Sequence, residues 1–215
     1  MALAFFDMDR TLLRIDSGTS WMKFLHGRGE ISNLGLLRTI MWGVKYKLAI
    51  LDIESLASRL AMESRGEPVN LISEKARTWF EIKISSEVAS AAREQVAEHQ
   101  SRGDTVVLLT AATQFVAEPV ALDTGIEHVL CSRLGIKGQY LSGTFDAFCH
   151  GKNKVPIAET FAKERGELLE NAWFYSDSLN DLPMLERVGN PVAINPDPRL
   201  RRAALKRGWD VRRWK

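Results

Sequence analysis

Cysteine is scarce in this chain. Only Cys131 and Cys149 occur among its 215 residues. Two thiols cannot build a disulfide framework, so a reducing compartment, the cytoplasm, is the expected setting. Long apolar runs are also missing: no uncharged stretch approaches the roughly 18 residues a membrane span needs. The first residues carry Asp7 and Asp9 where a secretory signal would need an unbroken apolar run. There is no internal repeat and no low-complexity segment. The net charge of +2 names no partner. Its distribution is less even, because Pro196–Lys215 holds eight Lys/Arg and two Asp, which leaves the rest of the chain with an acidic excess. The remaining composition, 45% hydrophobic and 26% charged, is that of an ordinary globular protein.

What is present is a pattern of short apolar runs that each end in polar chemistry. Leu3–Phe6 ends in Asp7, Thr105–Leu109 ends in Thr110, and Ala172–Tyr175 ends in Ser176 and Asp177. Runs of this length read as strands buried on both faces. Helical patterns lie between them, such as Val88–His99. Strands alternating with helices predict an α/β fold with a mostly parallel sheet flanked by helices. Ligands in such folds sit beyond the carboxyl ends of the strands, so the three run ends converge on one site.

Residues 16–84 break the alternation. They offer amphipathic helical stretches at about 17–28, 33–51, 53–64 and 70–83 and no strand. In the second stretch Leu37, Ile40, Met41, Val44, Leu48 and Leu51 share a face. The expected organisation is therefore a core of residues 1–15 and 85–215, with a helical cap of residues 16–84 inserted after the first strand. Glycines at 135, 138 and 143 predict a β-hairpin over 132–146, and Asn195-Pro-Asp-Pro precedes a short basic helix at 198–207.

The richest chemistry lies in Phe5-Phe6-Asp7-Met8-Asp9-Arg10-Thr11-Leu12-Leu13. Two carboxylates two residues apart after a buried strand can divide labour, one attacking an electrophile and the other moving protons. Their mutual repulsion calls for a cation between them. This run resembles the first motif of the haloacid dehalogenase (HAD) superfamily, Asp-x-Asp-x-Thr. Thr110 after Leu108-Leu109 resembles the second motif and Lys154 the motif III lysine. Tyr175-Ser176-Asp177-Ser178-Leu179-Asn180-Asp181 resembles the fourth. Lys152 competes for the third role, but the 23-residue separation of Lys154 from Asp177 suits the family better. A helical insert between the first two motifs resembles the small cap of the phosphoserine-phosphatase-like subgroup (subclass IB).

The resemblance implies a Rossmann-like core and a Mg2+-dependent phosphatase of small phosphorylated metabolites. Asp7 would be the nucleophile and Asp9 the acid and base. Lys154 would offset charge. Thr110, Ala111 and Asn180 would lie against phosphate or substrate. The metal set would be Asp7, Asp9 through its carbonyl, Asp177 and Asp181. Asp9 separates phosphate chemistry from the dehalogenases, which generally lack that acid.

Two departures stand out. Thr110 is followed by Ala111 and Ala112 where phosphoserine phosphatases usually have two glycines. Nine residues after Asp7, where those enzymes carry a Glu that contacts the substrate amine, stands Asp16. It reads equally as an amine ligand or as the N-cap of the helix from Ser17. The apolar cap residues Trp21, Phe24, Met41, Trp42, Tyr46 and Trp79 are expected to form the cap's own core, with a lipid-phosphate lining as the alternative. The basic stretch Arg38–Lys47 reads first as the solvated edge of a lid, and membrane contact is not favoured. The basic tail reads as a solvated helix, with no nucleic acid expected. Cys149 is expected to be buried and His150 to lie in a loop. The rival readings are a peripheral membrane phosphatase acting on a lipid phosphate, a mutase, and a non-catalytic HAD-fold binding protein.

Overall fold

The computed structural model describes residues 2–47 and 52–214. Strand β1 (Leu3–Phe6) is buried along its whole length and runs into a tight turn at Met8–Leu12. Four helices follow: α1 (Ser17–Gly27), α2 (Asn33–Lys47), α3 (Ile53–Glu63) and α4 (Val69–Trp79). The chain then alternates through α5 (Ser90–Ser101), β2 (Thr105–Thr113), α6 (Gln114–Thr124), β3 (His128–Lys137) and β4 (Tyr140–Ala147). It continues with α7 (Lys154–Glu164), β5 (Trp173–Ser176), α8 (Leu182–Arg187), β6 (Asn190–Ile194), α9 (Pro198–Arg207) and β7 (Asp210–Arg212).

The seven strands form one sheet in the order β4-β3-β2-β1-β5-β6-β7. All neighbours are parallel except β3 and β4. The fold is the expected α/β type. The predicted hairpin exists, but β3 starts earlier, at His128, and its first half pairs in parallel with β2. Strands β6 and β7 were not anticipated. The first contains Pro191, and the second is only three residues long with a charge at each end.

Alternation along β1 explains its burial. Leu3 and Phe5 join Val107, Leu109 and Phe174 in an apolar layer completed by Phe161 of α7, Met184 of α8 and Leu200 of α9. Ala4 and Phe6 face the other way, with Leu108, Tyr175, Val96 of α5 and Val120 of α6. A strand covered on both sides needs apolar residues at every position, hence an unbroken run. The central strand is therefore rigid where it delivers Asp7.

The expected separate cap core is not what forms: Phe24 of α1 and Trp79 of α4 join the same apolar cluster as Phe6, Val96 and Val120, with Trp21 packed against it. Trp79 is fully buried, its ring 5.4 Å from that of Trp21, and its Nε1–H donates to Ser20 Oγ at 3.2 Å. The Phe24 ring lies tilted against Trp21 at 5.7 Å. Met41 is exposed and Trp42 half-buried. The Tyr46, Ile40 and Val44 side chains lie outside the described part, as do residues Leu48 and Leu51. The insert is pinned to the hairpin by main-chain bonds: Gly66 N–H to Leu141 O, Leu141 N–H to Glu67 O, and Val69 N–H to Gln139 O. Among the described residues no helix is long and apolar enough to cross a membrane.

Candidate active site

Parallel register sets the geometry. Phe6 is level with Leu108 on one side and Tyr175 on the other. The next residues along, Asp7, Thr110, Ser176 and Asp177, therefore emerge at the same carboxyl edge. The Asp7 N–H donates to Tyr175 O at 2.9 Å, which prolongs the ladder by one rung. The chain then turns sharply at Arg10, whose φ of 56° is in the left-handed region. That turn brings Asp9 back against the start of α1, where Ser17 N–H donates to Asp9 Oδ1 at 2.7 Å.

Lys154 is the hub. It opens α7 after a turn at Gly151, where φ is 53° and a Cβ would lie 3.4 Å from Asn180 O, so glycine is the residue that fits. Its Nζ donates to Asp7 Oδ1 at 2.7 Å and to Asp181 Oδ2 at 2.8 Å, and only 2% of its side chain is exposed. Lys152 is exposed. Burial acts against the lysine's charge, but the Asp181 and Asp7 carboxylates outweigh it and hold the ammonium above the ordinary lysine value. Asp181 Oδ2 also accepts from Ser176 Oγ–H at 2.7 Å.

The acids crowd one another. Burial pushes Asp7 up to about 6 against the pull of Lys154, with Asp181 adding repulsion. Asp9 is pushed up to about 7 by burial and by the charges of Asp16 and Asp7, against the hydrogen bonds from Ser17. Asp177 is pushed up to about 8 by burial and by Asp7 and Asp181, with Arg10 opposing. Among the described residues nothing donates a hydrogen bond to the Asp177 carboxylate. Several carboxylates thus face one lysine, an imbalance that a cation would relieve.

The donor set fits Mg2+. It offers the Asp7 and Asp177 carboxylates and the Asp9 carbonyl, all hard oxygens, and Mg2+ keeps several waters besides. Among the described residues no three His, Cys, Asp or Glu side chains form a ready-made metal cage. Asp181 is held by Lys154 and Ser176 at the same edge.

The other candidates divide. Thr110 is buried and its Oγ1 accepts from Ala112 N–H at 3.1 Å, while Ala111 is exposed beside it. Asp16 caps α1 by accepting from Thr19 N–H at 2.7 Å, and its charge bears on Asp9. Asp16 is therefore the N-cap of α1. The Asn180 side chain makes no hydrogen bond among the described residues. Cys149 is buried, its thiol pushed up to about 12 by burial, and His150 lies in the loop after it with its ring against Phe148. Ser176 was missed as a site residue, since a serine at a strand end carries no signal of its own. Thr11, buried with Oγ1 unpartnered among the described residues, was quoted only as part of the motif.

The chain belongs to the haloacid dehalogenase-like hydrolase family, whose profile matches residues 4–186. Within that family it is a phosphoserine-phosphatase-like hydrolase. A histidinol-phosphatase of Neisseria meningitidis is 31% identical, with 99% of each chain covered. A phosphoserine phosphatase of Mycobacterium tuberculosis is 30% identical over 98% of this chain and 70% of its own length. A structure from Bordetella pertussis Tohama I, titled as a protein of unknown function, superposes with a TM-score of 0.89 at 29% identity, covering 98% and 97% of the two chains. Phosphoserine phosphatase as a phospho-aspartyl intermediate analogue gives 0.72 at 20% identity, covering 98% and 91%, a likeness of fold.

Proposed function

We propose that this protein is a Mg2+-dependent phosphatase that hydrolyses a small phosphate monoester through an aspartyl phosphate on Asp7. The observation that carries the reading is the Lys154 bridge between Asp7 and Asp181, with Asp9 and Asp177 at the same sheet edge.

Asp7 is fixed by the rigid β1 and oriented by Lys154, as in-line attack requires. One of its oxygens bonds to phosphorus while the bond to the leaving alcohol breaks. Asp9, held by the Ser17 amide, gives its proton to the departing oxygen. It then takes a proton from water, whose oxygen attacks phosphorus. The bond to Asp7 breaks, and inorganic phosphate leaves with Asp7 restored. Thr110 and the main-chain N–H groups after Asp7 and Thr110 bind phosphoryl oxygens. Mg2+, held by Asp7, Asp177 and the Asp9 carbonyl, supplies positive charge at the phosphoryl oxygens when bound. Residues 16–84 act as the cap over this edge, and closure excludes bulk water.

The relatives are named for histidinol phosphate and phosphoserine, both small phosphate esters with an amine. Asp16, beside Asp9, is the acid through which an amine would be recognised. Phosphate release is measured from phosphoserine, histidinol phosphate, sugar phosphates, nucleotides and lysophosphatidic acid, with Mg2+ or with EDTA. The reading expects Mg2+-dependent release from at least one amine-bearing ester. Release from lysophosphatidic acid alone would replace it with the lipid-phosphate reading, and no release from any would favour the non-catalytic one.

A further inference from the structure

We infer that helix α2 is a docking surface for an anionic lipid bilayer. The solvated lid edge expected from the sequence does not account for what the helix exposes. Leu34, Leu37 and Met41 are 68%, 53% and 48% exposed. Their spacing places them on one stripe of the helix. Single exposed apolar side chains are normal on soluble proteins, but an aligned stripe of large ones marks a contact surface. Among the described residues α1 is the main packing partner of α2. The helix is therefore apolar beyond the side that its neighbour covers.

Charge selects the occupant. From Ile31 to Leu51 the sequence has Arg38, Lys45 and Lys47 and no acid. Arg38 is exposed, and its guanidinium lies 5.2 Å from the ring centre of half-buried Trp42. Leucine, methionine and tryptophan interleaved with bases, on a helix with no acid, match the boundary between anionic headgroups and acyl chains. A second copy of the chain matches poorly, because a two-fold interface would set identical cationic helices against each other. The basic tail is a weaker candidate. Arg201, Arg202 and Lys206 are exposed there, but α9 buries Leu200 and Ala204 in the core and exposes only Leu205 among its large apolar side chains, so it offers charge without an apolar stripe.

The full chain is mixed with vesicles of phosphatidylcholine alone, and with vesicles containing about 30 mol % phosphatidylglycerol, and sedimented. We expect co-sedimentation with the anionic vesicles only, weakened at about 0.5 M salt. Leu37→Ser with Met41→Ser should lower vesicle affinity about tenfold or more, and Arg38→Gln about fivefold. Thermal unfolding of the variants should match the parent, because these side chains are exposed. If the double variant unfolds, Leu37→Ser alone carries the same test. Absence of binding to anionic vesicles would overturn the inference. So would binding that survives the stripe variants, which would move it to the tail. A concentration-dependent dimer abolished by the double variant, with no vesicle binding, would assign the stripe to a second copy instead.

Discussion

Lys154 and Asp7 are 147 positions apart in the chain and 2.7 Å apart in the fold. The ammonium of one opens α7, and the carboxylate of the other ends β1. The same ammonium reaches Asp181 at 2.8 Å. Replacing Lys154 with Met leaves two buried carboxylates without their counter-charge. Breaking a buried ion pair of this kind costs about 3 kcal/mol. We expect Lys154→Met to lose that much stability in urea unfolding and to lose phosphate release altogether. Adding Asp181→Asn should recover part of the stability and none of the activity.

Ser176 acts through Asp181. Its hydroxyl donates to the same oxygen that Lys154 holds. Hydrogen bonds to charged groups contribute about 1.5–3 kcal/mol. Ser176→Ala should therefore lower the melting temperature by roughly 3–10 °C and, by loosening Asp181, raise the half-saturating Mg2+ concentration about tenfold. A melting loss without a shift in the Mg2+ titration would reduce Ser176 to a packing residue.

Arg10 carries backbone strain. Its φ of 56° costs a residue with a Cβ about 1 kcal/mol relative to glycine. The side chain is exposed and makes no ion pair among the described residues, though its charge bears on Asp177. Arg10→Gly is expected to raise stability by up to about 1 kcal/mol, read from thermal unfolding.

Much of this is legible in the sequence. The apolar runs ending at Asp7, Thr110 and Asp177 fixed the central strands, because strands covered on both faces leave no room for alternation. The separation of Lys154 from Asp177 picked it over Lys152, and the structure buries the first and exposes the second. The edges were harder to read. Strand β7 spends two of its three residues on charge, and β6 holds a proline, so neither has an apolar pattern to find. The parallel half of β3 was hidden in a sequence that also makes a hairpin. Ser176 was read only as part of a strand end and a motif, and its hold on Asp181 depends on side-chain geometry, while the turn at Arg10 depends on a single dihedral angle.

His99 offers a pH test away from the site. It is fully buried, with Nε2 2.8 Å from the Tyr175 hydroxyl and Nδ1 2.9 Å from Asp104 Oδ2. Burial lowers its affinity for a proton, and the charge of Arg102 adds to this against the pull of Asp104 and Glu98. The unfolded chain therefore takes up the proton first. The contribution of His99 to stability is complete above the unfolded histidine value of about 6.5 and falls as pH drops below it. Asp104 is held below the usual carboxylate range and stays ionised through that window. Urea unfolding of the parent and of His99→Gln at each pH should show the parent losing stability relative to the variant as pH falls below about 6.5. An unchanged slope in the variant would assign the loss to other groups.

The most direct test of the nucleophile is to quench the enzyme in acid during turnover and weigh the peptide that contains Asp7. The account predicts one added phosphoryl group on that peptide, removed by hydroxylamine and absent from Asp7→Asn, which should also release no phosphate. Steady phosphate release with no phosphoryl group on Asp7, or activity retained by Asp7→Asn, would contradict it.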